Sequence, residues 1–81
     1  MDFILSAHTR EMLLERRIPE EWVGRTINNS DRNETRADNN VHFFKSIAEN
    51  EGRVLHVILN PHVLPKKVVT AFFDRRARRH R

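Results

Sequence analysis

The sequence contains no cysteine among its 81 residues. This absence excludes disulfide bonds, a thiolate zinc site and a cysteine nucleophile, and it favours the reducing cytosol. No run of 18 apolar residues occurs, and the first residues lack the basic start and apolar core of a signal peptide. P-loop, GxGxxG and HExxH motifs are also absent. We therefore expect a cytoplasmic protein with no membrane segment, no bound metal and no cofactor.

The length is enough for one hydrophobic core, because 38% of the 81 residues are hydrophobic. We predict a single domain over residues 1–74, followed by a basic C-terminal tail over residues 75–81. A domain of this size buries only about two-thirds of the surface of its unfolded chain. The sequence therefore leaves open whether a homodimer adds to its stability.

The first half of the chain predicts one short strand and two helices. Residues 2–5 are predicted as the strand, and Ser6 lies where a helix N-cap belongs. The apolar residues of 7–17 fall near one stripe, which is typical of an amphipathic helix. Pro19 suits the first turn of a second helix, which we expect to end near Asn29.

The second half predicts a mainly antiparallel sheet. Residues 28–40 are rich in Asn and Asp, which predicts a mobile loop with room for a short edge strand in its middle. β-Branched and aromatic residues dominate 41–48 and 53–60, which predicts a β-hairpin whose second strand is central in the sheet. A last strand is expected over 66–74. The order of one strand, two helices and then three or four strands predicts an α+β fold, with both helices packed on one sheet face.

Two segments resemble a known family. The opening pattern S-x-H-a-x-x-R-m-x-x-R-g-I is matched by Ser6, His8, Leu13, Arg16 and Ile18. A closing V-[VI]-T-x-[FY] core with basic residues after it is matched by Val68, Val69, Thr70, Phe72, Phe73, Asp74, Arg75 and Arg76. Together they resemble a bacterial family, the domain of unknown function 4258, which is similar in layout to the RelE/ParE-like RNase toxins.

The sequence departs from the family pattern at two positions. Met12 stands where the pattern has its first arginine, and Arg17 stands where it has a small residue. If that arginine binds substrate in relatives, its role has been lost here or has moved to a neighbour such as Arg10.

The resemblance implies RNA cleavage without a metal, in which a 2′-hydroxyl attacks the adjacent phosphate. Such a reaction needs an acid, a base and positive charge, which His, Glu, Lys and Arg can supply. His8 is the candidate acid or base, and Glu15 and Arg16 lie two turns further along the same side of the helix. The structural alternative is that Ser6 and His8 cap the helix, while Arg16 pairs with Glu20 or a loop carbonyl.

Three residues of the predicted hairpin are further candidates. His42 and His56 could flank a scissile phosphate, with His56 as the second group for proton transfer. The alternative is a half-buried histidine that is hydrogen-bonded across the hairpin. Lys45 is either a phosphate contact or a solvated charge at the sheet edge.

The net positive charge lies at the C-terminus. Residues 1–74 hold ten basic and eleven acidic residues, whereas the tail adds five arginines. The candidate nucleic-acid-binding residues of the tail are Arg75, Arg76, Arg78 and Arg79. The same arginines suit the carboxylates of an acidic antitoxin protein, and a solvated end with no specific role is the third alternative.

The leading hypothesis is a toxin-like RNA-binding domain, in its strongest form a metal-independent endoribonuclease of a toxin-antitoxin system. The alternative is a non-catalytic nucleic-acid-binding or protein-interaction module.

Overall fold

The computed structural model of the protein describes residues 2–77. Its elements in chain order are β1 (Phe3–Ile4), α1 (Ala7–Glu15), α2 (Glu20–Asn28), β2 (Arg32–Thr35), β3 (Val41–Ile47), a 3-10 turn (Ala48–Asn50), β4 (Arg53–Asn60) and β5 (Lys66–Phe73). The five strands form one sheet in the order β1-β5-β4-β3-β2. All neighbouring pairs are antiparallel except β1 and β5, which are parallel. The α+β prediction is confirmed, and β4 is the central strand as expected.

The core lies between the sheet and the two helices. Alternate residues of a strand point to the same face, and in β3 and β4 the apolar residues Phe43, Leu55, Val57 and Leu59 face the helices and are buried. Leu13 of α1 and the apolar stripe of α2 pack against them. This burial occupies only one face of the sheet, so the other face must satisfy its side chains in a different way. Neither helix within residues 2–77 has the length or apolar character that crossing a bilayer requires.

Both ends of α1 have defined caps. At the N-terminus the Ser6 hydroxyl accepts a hydrogen bond from the Thr9 backbone amide (3.1 Å), as the N-cap prediction required. At the C-terminus the amide of Arg17 donates to the Leu14 carbonyl, and the amide of Ile18 donates to the Leu13 carbonyl. This is the Schellman pattern, in which the residue after the cap takes a left-handed conformation. That residue is Arg17, with φ of 58°.

Several boundaries differ from the sequence-based expectation by one or two residues, and the short edge strand expected within residues 28–40 is present as β2. Helix α1 ends at Glu15 because the chain turns left-handed at Arg17, and β5 ends at Phe73. The segment predicted as a mobile loop contains β2, which pairs with β3 through all four of its residues. All four residues of β2 are exposed, so no apolar alternation marks the strand in the sequence.

We predict that Arg17→Gly stabilises the domain. A left-handed conformation costs an L-residue roughly 1–2 kcal/mol, and the greater freedom of glycine in the unfolded chain offsets part of this gain. The net expectation is an increase in the free energy of unfolding of about 0.5–1 kcal/mol, measured by urea denaturation. Arg17→Ala is the matched control, because it removes the same side chain without relieving the backbone. Equal effects of the two variants would contradict this account.

Candidate nucleic-acid interface

The sheet face that the helices leave uncovered carries a row of four residues on four adjacent strands. The pairing register places Arg32 opposite Phe44, Phe44 opposite His56, and His56 opposite Phe72. Residues directly opposite each other share a face, so these four side chains form one line across the sheet. The ring of His56 lies between those of Phe44 and Phe72, at centroid distances of 4.2 and 4.8 Å.

A cleft of about 510 Å³ opens over this row. Four arginines line it, namely Arg32, Arg36, Arg75 and Arg76. The guanidinium carbons of Arg32 and Arg36 lie 4.2 and 5.3 Å from the centre of the Phe44 ring, within the range of cation–π attraction. Phe44 and His56 are each 3% exposed, whereas Phe72 is partly exposed. The cleft therefore has cationic walls above a floor of mostly buried rings.

On the same sheet face, four side chains form an unbroken series of hydrogen bonds, which we call the histidine chain: Asp38, His42, His56 and Asp74. Oδ2 of Asp38 lies 2.9 Å from Nε2 of His42, and Nδ1 of His42 lies 2.8 Å from Nε2 of His56. Nδ1 of His56 then lies 2.8 Å from Oδ2 of Asp74. The two histidines are 4% and 3% exposed, whereas the two aspartates at the ends reach solvent.

The environment of the histidine chain shifts the pKa values of its members. Burial lowers the pKa of His56, and this effect outweighs the hydrogen bond with Asp74, which acts in the opposite direction. Burial acts to raise the pKa of Asp74, but hydrogen bonds from His56 and from the Arg76 amide outweigh it, so this pKa is lowered. The pKa of Asp38 is also lowered, chiefly by a hydrogen bond from the Asn40 amide. Both aspartates are therefore carboxylates at neutral pH.

Asp74 also fixes the start of the C-terminal segment. Its backbone amide donates to the Val54 carbonyl, which continues the pairing with β4 by one residue. Its Oδ1 accepts hydrogen bonds from the amides of Arg76 (2.8 Å) and Ala77 (3.3 Å). This turn places Arg75 and Arg76 at the wall of the cleft.

The sequence matches the family model for the domain of unknown function (DUF4258) over residues 5–73, which is most of the chain. The protein belongs to this family. No curated protein and no solved structure gave a significant match.

The cleft brings together three of the residues that the sequence analysis selected. His56 lies on its floor, and Arg75 and Arg76 line its wall. His56 and His42 have the contact that the structural alternative described, a hydrogen bond across the hairpin, although both are buried rather than half-buried. Arg78 and Arg79 lie outside the described residues.

The remaining hairpin candidate faces another way. Lys45 alternates with Phe44 along β3, so it points to the opposite side of the sheet from the cleft. Its Nζ lies 3.6 Å from Oδ1 of Asp31, and its side chain is 16% exposed. An ion pair is therefore the contact that the structure gives this residue.

The helix α1 candidates do not line the cleft within the described part of the chain. His8 and Glu15 are exposed on α1. Arg16 uses Nη1 to donate to the Ala71 carbonyl (2.8 Å) and to the Thr70 hydroxyl (3.1 Å). This contact joins the end of α1 to β5, so Arg16 has the kind of structural partner that the alternative interpretation expected, although the partner carbonyl belongs to a strand.

Met12, which departs from the family pattern, lies at the same contact. The Thr70 hydroxyl donates to its sulfur at 3.3 Å. Position 12 therefore faces β5 in this protein. Arg10, the neighbour to which an arginine role could have moved, lies 3.6 Å from a carboxylate oxygen of Glu20.

Sequence reasoning missed Arg32, Arg36, Asp38 and Asp74 as site residues. The spacing of Arg32, Glu34 and Arg36 is a period of two, which is the signal of a strand with one charged face. That signal is weak inside a segment rich in Asn and Asp. Asp38 and Asp74 gave no signal of their own, because their partners become neighbours only through strand pairing.

We predict that Arg16→Ala destabilises the domain by about 1–2 kcal/mol, since a hydrogen bond to a charged group contributes about 1.5–3 kcal/mol and the Arg16 side chain is partly solvated. Urea denaturation measures the change. Arg10→Ala is the matched control on the same helix, and we expect an effect within about 0.5 kcal/mol because its ion pair is exposed. If Arg16→Ala changed RNA affinity but not stability, the phosphate-binding role suggested by the sequence would be favoured over the structural one.

Proposed function

We propose that this protein is a toxin-like domain that binds single-stranded RNA in the cleft of the open sheet face. The observation that carries the proposal is the arrangement of four arginines around a floor made of Phe44, His56 and Phe72. Single-stranded RNA offers phosphates for guanidinium groups, and unstacked bases for the partly exposed ring of Phe72 and for the planes of the guanidinium groups. Arg53 and Arg75 also lie beside the ring of Phe73 at a neighbouring pocket, but that pocket has two arginines instead of four.

The charge distribution supports an anionic ligand at this cleft. The body of the protein over residues 1–74 is close to neutral, yet the cleft collects arginines from β2, from the segment after it and from the turn after β5. Arginine presents a planar fork that bonds to two phosphate oxygens at once. We take RNA as that ligand because the sequence pattern of this family resembles that of the RelE/ParE-like RNase toxins.

Metal-independent RNA cleavage is a second candidate function. It is favoured by the position of Asp74 and His56, a hydrogen-bonded carboxylate and imidazole in the same cleft as the arginines. A pair of this kind can accept and return a proton while arginines stabilise the phosphorane. Both ring nitrogens of His56 are engaged, so Asp74, whose side chain is 17% exposed, is the group best placed to exchange a proton with a ligand.

An acidic antitoxin segment is the competing partner for the same arginines, because carboxylates and phosphates suit the same guanidinium geometry. A partner of this kind would cover the cleft and compete with RNA. A homodimer remains a separate proposal, and the cleft does not require one.

The proposal predicts that Arg32→Ala combined with Arg36→Ala weakens RNA binding by about 10- to 100-fold, where a tenfold change in Kd corresponds to about 1.4 kcal/mol. The slope of log Kd against log salt concentration should decrease by about 1.4, because two phosphate contacts are lost and each contributes roughly 0.7 to the slope for a single strand. Fluorescence anisotropy with a short labelled RNA measures both quantities.

The matched control is Arg10→Ala combined with Arg17→Ala, which removes the same charge from the α1 region. We expect a much smaller loss of affinity. Equal losses in the two double variants would show that net charge alone drives binding, and would contradict a specific cleft. Binding of an acidic peptide but not of RNA would favour the protein-interaction alternative.

Cleavage is tested in the presence of EDTA with RNA alone and with mRNA on ribosomes. Activity that survives EDTA and disappears in Asp74→Asn but not in His8→Ala would place the reaction in the cleft. Loss of activity in His8→Ala but not in Asp74→Asn would instead place the reaction at the side of α1 that the sequence suggested. Intact RNA under both conditions would leave a binding domain without this reaction.

A further inference from the structure

The three hydrogen bonds of the histidine chain require a definite number of protons. Carboxylates only accept, so Nε2 of His42 carries the proton of the bond to Asp38, and Nδ1 of His56 carries the proton of the bond to Asp74. The remaining nitrogens face each other at 2.8 Å. Two neutral rings would place two lone pairs in that contact, and two imidazolium rings would place two N–H groups there.

A single proton between the rings satisfies the contact. The complete chain then holds three protons in three hydrogen bonds, and its net charge is −1. Moving a proton from a ring to a carboxylate changes the tautomer but neither the count nor the charge. A metal ion between the rings is incompatible with the distance, because two ligand bonds of about 2.0–2.1 Å would separate the nitrogens by more than 2.8 Å.

We propose that Asp38, His42, His56 and Asp74 bind protons as one unit that holds three, with the third proton shared between the two rings, and that His42 thereby acts as a positioning residue for the cleft. The unit forms only in one charge state. Loss of the third proton at high pH and gain of a fourth at low pH both break the contact between the rings.

The charges that face this unit come from each surrounding segment. Strand β2 contributes Arg32 and Glu34, with Glu34 paired directly opposite His42. The segment after β2 contributes Arg36, and the turn after β5 contributes Arg75 and Arg76 at the cleft wall. The neighbours on the strands are the neutral rings of Phe44 and Phe72.

These surroundings favour one extra proton over two. The two aspartates stabilise a single imidazolium, whereas the arginines and the burial of both rings oppose a second positive charge. Burial lowers the pKa of His56, which favours the neutral form of this ring. In that form His56 accepts at Nε2 and donates at Nδ1.

The shared proton connects the two walls of the cleft. Asp38 belongs to the turn between β2 and β3, where the Asn39 amide donates to the Arg36 carbonyl, and Asp74 begins the turn that carries Arg75. The histidine chain is a continuous polar connection between these turns through the sheet face. The histidine chain therefore fixes the distance between the arginines of the two walls, and this holds for any anion that occupies the cleft.

The first test is nitrogen-15 NMR of the imidazole rings of the wild-type protein from about pH 5 to pH 10, a range that brackets the ordinary histidine pKa of about 6.5. We expect His42 and His56 to titrate together in two steps, one below and one above the ordinary histidine pKa. Between the steps the pair should show three ring protons. Two neutral rings at pH 7, or independent titration of the two rings, would overturn the proposal.

Stability supplies a second readout with a defined sign. Below about pH 6.5 His42 and His56 together bind one more proton in the unfolded chain than in the folded protein, so stability rises with pH. Above about pH 6.5 they bind one more proton in the folded protein, so stability falls as the pH rises. The equilibrium constant for unfolding should change by about tenfold per pH unit on each side of the maximum, until the corresponding NMR step is reached. A stability that only rises or only falls with pH across this range would contradict a shared proton.

Two substitutions of His42 each keep one of its two hydrogen bonds and remove the other. In His42→Asn the side-chain amide replaces Nδ1 and donates permanently to His56, so the contact with His56 should persist without a third proton and the decline of stability at alkaline pH should disappear. In His42→Gln the amide replaces Nε2 and keeps only the bond to Asp38, so stability should fall at all pH values. Retention of the alkaline decline in His42→Asn would overturn the assignment, and this outcome is independent of whether the cleft binds RNA.

Discussion

The hydrogen bond between His42 and His56 joins the two longest-paired strands of the sheet on the face that no helix covers. An apolar face in that position would need a partner, and a charged face would leave the strands without packing. The protein solves this by burying two imidazole rings between phenylalanines and extending their hydrogen bonds to carboxylates at the surface. Each ring depends on the other, because an unpaired ring nitrogen in this environment would cost about 1–3 kcal/mol.

The position of the cleft follows from this arrangement. The aspartates that complete the chain lie in the turn before β3 and the turn after β5, which are also the segments next to the cleft arginines. Phe44 and His56 are 3% exposed, and the guanidinium groups of Arg32 and Arg36 lie over the Phe44 ring, so this face presents no large apolar surface although no helix covers it. The helices do not line this cleft within the described residues, and they close the core on the other face of the sheet.

Much of the fold could be predicted because local signals and tertiary packing agree. Ser6 caps α1 as its residue type suggests, and the apolar run of β4 is central because both of its faces are buried. The family pattern expects a small residue at position 17, and the left-handed φ of Arg17 supplies the reason: glycine takes this conformation without strain. The residue that departs from the pattern is therefore also the one with the strained backbone conformation.

The site was less predictable because its members are distant in sequence. Helical periodicity placed His8, Glu15 and Arg16 on one side of the first helix and so suggested a site there. Periodicity could not show that the Ala71 carbonyl of β5 accepts a hydrogen bond from Arg16. The cleft instead depends on strand register, which brings Arg32 to the same row as Phe72, forty residues further along the chain. Only Arg75 and Arg76, selected for charge alone, were identified from the sequence as part of the cationic wall.

The charge of the histidine chain and the charge of the cleft cannot be treated separately. Four arginines face a unit that carries −1 when it holds three protons and −2 when it holds two, and Asp74 presents part of that negative charge to the cleft itself. An anion entering the cleft is repelled less by the more protonated unit, so by linkage the anion raises the affinity of the unit for its third proton. Protonation also keeps the ring contact intact, and with it the spacing of the two walls. At the alkaline limit electrostatics and geometry therefore act in the same direction, and binding of a phosphate-bearing ligand is expected to raise the pH at which the contact between the rings is lost.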